Sequence, residues 1–404
     1  MTERRRSGLP ENAGGGSGAA AEEGGAAGAA AQRHGGGRSA GDRSGKARTG
    51  GRSDGWFDWP GLGADIRGAG ADAGIALVVT GAIFVWLYVR IDNGSSATLQ
   101  VMPMLADADR YWMYWLCQAF GWSGLLWAWI TIVFSLLRTG PRPRVRWMPP
   151  AGLEKLHRTT SLTTIALMFM HAVMFFLEEV RGNEGGATWA GRVWDAFVKV
   201  FIPGGYATGT GRIAILVGLL AFYLAIPLGL AYYLRQRTGS RMWRALHRFI
   251  IVVYVLSVWH TLLYGTNVWY DGTFRTLVWA LQMPIAAMLL LRLLAPARPS
   301  ERLRVRGSRP LPLTARFAGR LAVVATVAGL AAVVATGVDG GRTPDGASPG
   351  LWPEQWVIWA GLLALTLALV AVVHRLRPAA VAAQGRGTAP GRREPEAAGD
   401  HGAG

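Results

Sequence analysis

The chain has 404 residues, of which 51% are hydrophobic and 17% charged, and its mean hydropathy is +0.23. Soluble globular chains carry about 25% charged residues, so an ordinary soluble fold is disfavoured, and the net charge of +17 fits either a nucleic-acid binder or a membrane protein with cytoplasmic anchors. A single cysteine, Cys117, excludes an intrachain disulfide, a cysteine-based zinc site and a cysteine-ligated iron–sulfur cluster.

Residues 1–72 are rich in Gly, Ala, Ser and Arg, with runs such as Gly14-Gly15-Gly16, and few large apolar residues precede Trp56. Such a segment buries too little apolar surface to offset its ordering entropy, so a disordered tail is expected there. No apolar run follows Arg4-Arg5-Arg6, which argues against a secretory signal peptide. Eight apolar segments come next, at about 73–91, 112–137, 157–178, 213–234, 247–266, 276–295, 318–337 and 355–374. Crossing a bilayer takes about 20 helical residues, and each segment is too long for a buried strand. The expected fold is an all-α integral membrane protein. It has a six-helix bundle over 73–295, a basic connection at 296–317, two further spans within 318–377 and a second disordered tail at 378–404.

Basic residues alternate between the connections. Arg138, Arg142, Arg144, Arg146 and Lys155 follow the second span; Arg235, Arg237, Arg241 and Arg244 follow the fourth; Arg298, Arg302, Arg304, Arg306, Arg309 and Arg316 follow the sixth. The first, fifth and seventh connections hold only Arg110, Arg275 and Arg342, and the third balances Arg181, Arg192, Lys199 and Arg212 against Glu179, Glu184 and Asp195. Positive charge stays on the cytoplasmic side. Both termini and the basic connections are therefore expected in the cytoplasm, with the chain in the cell (plasma or inner) membrane. On that reading the excess charge reports orientation, not a nucleic-acid partner. The third and fifth spans then run parallel, from the cytoplasm outward.

Of seven histidines, His34 and His401 lie in the tails and His374 ends the last span. His157 and His171 lie on the third span, His247 and His260 on the fifth. A lone intramembrane histidine often only hydrogen-bonds across the bundle, yet ionisable residues there are functional candidates. At a rise of 1.5 Å per residue, the two separations are about 21 and 20 Å. On parallel spans His157 is level with His247 near the cytoplasmic face, and His171 with His260 nearer the outer face. Two cross-helix pairs at matched depths suit two six-coordinate b-type haems, each iron taking one imidazole from each side. The architecture is then a six-helix haem-binding bundle. At 100° per residue, His171 returns within about 40° of the face of His157, but His260 sits about 140° from His247. The fifth span must be over- or underwound, or the haems must approach it from different sides. Arg158 and Arg248 each follow an inner histidine in a Leu-His-Arg triplet. They can pair with haem propionates and serve as positive-inside anchors at once.

The stretch Met242-Trp243-Arg244-Ala245-Leu246-His247-Arg248-Phe249-Ile250, running on to Trp259-His260, resembles the fifth helix of the ferric reductase-like transmembrane superfamily. That superfamily includes ferric reductases, NADPH oxidases and the haem-bearing membrane subunit of bacterial methionine-sulfoxide reductase systems. Its pattern of His-x13-His on the third helix and His-x12-His on the fifth is present here. The resemblance covers about 73–295 and implies His157 and His247 on an inner haem, His171 and His260 on an outer one. The flavin and nicotinamide domain that usually follows the sixth helix is replaced by a basic connection and two spans. No glycine-rich phosphate fingerprint stands between a strand and a helix. Electrons are therefore expected from a separate cytoplasmic flavin reductase or from membrane quinol, although no motif marks a flavin or quinol site. The last two spans are expected to pack against the bundle or dock a partner.

Glu178, Glu179 and Glu184 at the outer end of the third span could attract a cationic acceptor, but read more simply as a solvated loop. Met168, Met170 and Met174 around His171 read as packing. Trp259 could touch the outer porphyrin, and Cys117 reads as a small core residue. The function expected is transmembrane electron transfer to an outer ferric chelate, oxygen or protein acceptor, making the chain an oxidoreductase component. The alternative is a quinol-linked dihaem cytochrome b subunit of a larger membrane oxidoreductase; equal histidine spacing on both helices is typical there, and the spacing here is unequal. A haem-free transporter or scaffold leaves the two level pairs unexplained.

Overall fold

The computed structural model describes residues 56–139, 149–183, 188–207, 211–270, 272–295, 310–337 and 355–385, all within the unit Ser53–Gly404. Its regular elements are helical. Asp58 caps α1 (Trp59–Gly68) by accepting from Gly61 N–H at 2.9 Å, and Pro60 occupies the first turn. The chain continues through α2 (Gly70–Asp92) and the short α3 (Thr98–Val101) to α4 (Trp112–Thr139). Extended Pro149 and helical Pro150 set the start of α5 (Pro150–Gly182), which runs for 33 residues. Thr188 caps α6 (Trp189–Phe201), its hydroxyl accepting from Gly191 N–H at 3.2 Å. Then come α7 (Gly211–Leu230), α8 (Arg235–His247), α9 (Ile250–Tyr264), α10 (Thr273–Ala280), α11 (Gln282–Leu294), α12 (Pro310–Thr336) and α13 (Gln355–Gly385).

Among the described residues, 6 helical runs are long and apolar enough to cross a membrane: Gly70–Asp92, Trp112–Thr139, Ala151–Gly182, Gly211–Tyr264, Thr273–Arg292 and Phe317–Thr336. The apolar segments 213–234 and 247–266 fall within one of them, and the last segment forms a shorter apolar stretch, Trp356–Ala371. The run Gly211–Tyr264 has 54 residues; straight, it would measure about 80 Å, against a hydrocarbon core of about 30 Å. It doubles back instead. Gly239, inside α8, takes φ 79° and ψ 151°, a conformation open chiefly to glycine. Beyond it α9 packs along α7, where Ile213, Leu216, Val217 and Leu220 share a core with Leu263.

Residues 56–72, assigned to the tail by composition, are ordered. Phe57 is buried against Tyr233, with ring centres 5.8 Å apart. Asp58 and Asp65 lie 3.6 and 3.4 Å from the guanidinium groups of Arg235 and Arg158. A few specific anchors hold this segment, and they vanish when composition is averaged over 72 residues. At the other end, α13 continues to Gly385, beyond the expected boundary at 377. Residues 1–55 and 386–404 lie outside the described residues, as do His34, His401 and most of the basic connection 296–317.

α4 and α5 pack along their lengths, with α2 beside both. Asp72, in the first turn of α2, reaches between them. It accepts from Trp127 Nε1 at 3.1 Å and from Thr163 Oγ1 at 2.5 Å. Thr80 and Ser123 add a buried hydroxyl pair at 2.7 Å. Removing the carboxylate leaves two donors on buried residues unpaired, at a cost of about 1–3 kcal/mol. Asp72→Ala should therefore lower the thermal unfolding midpoint in detergent, and Asp72→Asn, which keeps an acceptor, should lower it less. Of the last two helices, α12 lies along α10 and α11, and α13 along α7 and α8.

Candidate functional site

The four histidines of the third and fifth apolar segments meet as two pairs. His157 on α5 faces His247 at the end of α8, with ring centres 5.8 Å apart and planes at 80°. His171 on α5 faces His260 on α9, with ring centres 6.0 Å apart and planes at 77°. Lower number meets lower number in both, so α5 runs parallel to α8 and α9. Two imidazoles binding one metal ion from opposite sides, each nitrogen about 2 Å from it, place their ring centres about 6 Å apart. Among the described residues no three His, Cys, Asp or Glu side chains gather into a metal-binding group. A haem iron needs only two protein ligands when both axial positions are filled by imidazole, because the porphyrin occupies the rest.

Backbone carbonyls orient these rings. His171 Nδ1 lies 2.8 Å from the Cys117 carbonyl, His260 Nδ1 2.6 Å from that of Ala214, and His157 Nδ1 3.1 Å from that of Thr131. A carbonyl only accepts, so each Nδ1 carries the proton and each Nε2 keeps a free lone pair for a metal. His247 Nδ1 is buried and closes no hydrogen bond, although the Leu228 carbonyl faces it. Two glycines make room at the second pair. A Cβ on Gly218 would stand 2.6 Å from His260 Nδ1, and one on Gly121 would stand 3.0 Å from His171 Nδ1.

The 13-residue spacing is accommodated by a break. α8 ends at His247 and α9 begins at Ile250. Between them Phe249 N–H donates to the Leu246 carbonyl at 3.0 Å, and Val252 N–H to that of Phe249 at 2.9 Å. These are three-residue bonds, so the chain is overwound here toward 3.0 residues per turn. Each tightened step adds about 20° over the α-helical 100° and swings His260 back toward the side of His247. Of the two sequence alternatives, overwinding is the one observed.

A smaller cavity adjoins the first pair and a larger one the second. The smaller holds buried donors with no partner, Trp243 Nε1 and Arg158 Nε, which suit the carboxylates of a haem. The larger is mostly apolar, with Phe120, Leu219 and Phe222 in its walls and Tyr114, Gln118 and Tyr264 supplying polar groups. Each fifth-span histidine also stacks on an aromatic ring four residues away: His247 on Trp243 at 5.7 Å, His260 on Tyr264 at 6.2 Å. The imidazole donors and their ring spacing at both pairs fit a haem.

The other sequence candidates are distributed unevenly. Arg158 lines the smaller cavity, 3.4 Å from Asp65 and 3.2 Å from the Tyr232 hydroxyl. Arg248 is exposed in the turn after His247 and lines neither cavity. Met168 lines the larger cavity, whereas Trp259 packs against the α7 core. Cys117 is a cavity residue, its sulfur 3.4 Å from His171 Nδ1. Glu178 is paired with Arg181 at 2.7 Å, and Glu179 lies 3.5 Å from Lys199. A hydrogen bond from Lys199 to Asp195, the largest influence, raises the lysine pKa above its ordinary value. Glu184 lies outside the described residues. Sequence reasoning missed Gly121, Gly218, Tyr232 and Trp243. Only the placement of Trp243 and Tyr264 four residues from a histidine marks any of this cavity wall in the sequence.

No curated protein and no solved structure matches the chain. A scan of protein-family models does, over a segment that carries His157, His171 and His247 and ends two residues before His260. Residues 120–258 match the model described as ferric reductase like transmembrane component, so this part of the chain is similar to a ferric reductase-like transmembrane core, and the match together with the six apolar helical runs indicates a multi-pass membrane protein.

Proposed function

We propose that this chain carries electrons across the cell membrane through two b-type haems. His157 and His247 ligate the inner haem, His171 and His260 the outer one. Two level cross-helix histidine pairs, with ring centres 5.8 and 6.0 Å apart, are the observation that carries the reading. Apolar segments and alternating charge support eight spans with both termini in the cytoplasm. The donor is then a cytoplasmic flavin reductase or membrane quinol, and the acceptor an external ferric chelate, oxygen or protein.

Haem, when bound, supplies a one-electron couple whose potential its ligands and surroundings set. The chain supplies placement. Three Nδ1–carbonyl bonds hold imidazoles ready with Nε2 free, so little reorganisation accompanies ligation. Continuous α5 spaces its two histidines along one rod. Asp65 and the Tyr232 hydroxyl hold the Arg158 guanidinium at the inner cavity, where it can neutralise a propionate. Exposed Arg248, which lines neither cavity, serves as a positive-inside anchor in the adjoining turn.

Purified protein should show a b-type α band in the reduced-minus-oxidised spectrum and two haems per chain in a pyridine haemochrome assay. No band rejects haem altogether; one haem per chain rejects the two-level arrangement. Reduction by a quinol, compared with reduction by a flavoprotein and NAD(P)H, identifies the donor.

A further inference from the structure

The inner cavity contains a group that ligation does not use. Trp243 is clamped between two rings: it stacks on His247 at 5.7 Å and 25°, and meets the edge of Tyr232 at 5.5 Å and 71°. Both cavity arginines have carboxylates nearby, Arg158 with Asp65 at 3.4 Å and Arg138 with Glu154 at 3.8 Å. The Trp243 indole N–H, by contrast, is buried with no acceptor. A buried donor left unpaired is costly, and Tyr232 and His247 prevent the indole from turning away. Its acceptor is therefore expected to be a ligand in the cavity, and the neighbouring Arg158 makes an anionic one favourable.

We propose that Trp243 is a positioning residue of the inner site: its indole N–H donates to a carboxylate of the bound haem, and its ring fixes the plane of the His247 imidazole. This rests on the dihaem reading above. The stack has a helical cause, since residues four apart on α8 share a face. It also explains why one aromatic residue serves both the metal ligand and the acidic edge of the porphyrin.

The test uses full-length protein in detergent with the outer pair disabled by His171→Ala and His260→Ala. It is reconstituted separately with haem b and with its dimethyl ester, whose carboxyl groups carry no charge. With Trp243 present, the free acid should bind more tightly than the ester. Trp243→Phe, which keeps a ring and removes the N–H, should reduce that preference at least about tenfold, the low end for a hydrogen bond to a charged group. If Trp243→Phe does not fold, benzothienylalanine at position 243 keeps the size and shape of the indole without its N–H and should give the same loss. An unchanged preference in the folded variant overturns the proposal. A protein with Trp243 intact that binds neither porphyrin overturns the dihaem reading, and the proposal falls with it.

Discussion

His260→Ala should leave the chain with one haem in place of two and slow reduction of an external acceptor at least about 100-fold. The imidazole sits in the larger cavity between α4, α5, α7 and α9, with its Nδ1 bonded to the Ala214 carbonyl at 2.6 Å. Alanine supplies no donor, and among the described residues the pair belongs to no group of three His, Cys, Asp or Glu side chains from which a replacement could come. Disturbing even a partner that orients a metal ligand costs about 10–100-fold in affinity or activity, so losing the ligand should cost more. His171→Ala should match it. His157→Ala and His247→Ala should instead remove the inner haem and stop a cytoplasmic donor from reducing the outer one. Haem content by pyridine haemochrome and stopped-flow reduction from the cytoplasmic side distinguish the two classes. Four variants that all retain two haems would reject these ligands.

Gly218→Val should have nearly the same effect as deleting His260, without touching a ligand. The glycine lies on α7, and the first atom of any side chain there would stand 2.6 Å from His260 Nδ1. The imidazole must shift, and a shift breaks its bond to the Ala214 carbonyl. The outer haem should then bind about 10–100-fold more weakly, while the inner haem stays. Gly121→Ala should act in the same direction but less, because its added carbon would stand 3.0 Å from His171 Nδ1. A Cβ added to Gly81 on α2 would meet nothing within 4 Å, so Gly81→Ala is the control that should keep both haems. Haem content measured after stepwise dilution reads the effect; a Gly218→Val protein with undiminished outer haem would show that the cavity tolerates the displacement.

Much of the fold was legible because its determinants are local. The apolar runs correspond to the helices, since length and hydropathy suffice to select them. Parallel placement of the third and fifth spans followed from the alternating arginines, and the pairings His157–His247 and His171–His260 agree with it. Tail boundaries were read less well. Phe57, Asp58 and Asp65 are anchored by Tyr233, Arg235 and Arg158, partners about 100 to 180 residues away in sequence that no local average detects.

Residue types, spacing and relative direction of the four histidines were thus set out along the chain itself, because helical rise and charge asymmetry are properties of single segments. Three-dimensional packing settled what depends on groups brought together from different helices. It showed that the tight turn at 248–249 overwinds the fifth span, and that the carbonyls of Cys117, Ala214 and Thr131 leave Nε2 free. It also put Gly218 and Gly121 where an added Cβ would stand 2.6 and 3.0 Å from a histidine ring, and left the Trp243 indole without an acceptor. Distances of a few tenths of an ångström decide each of these, and such distances come from the approach of one helix to another, not from the order of residues within either.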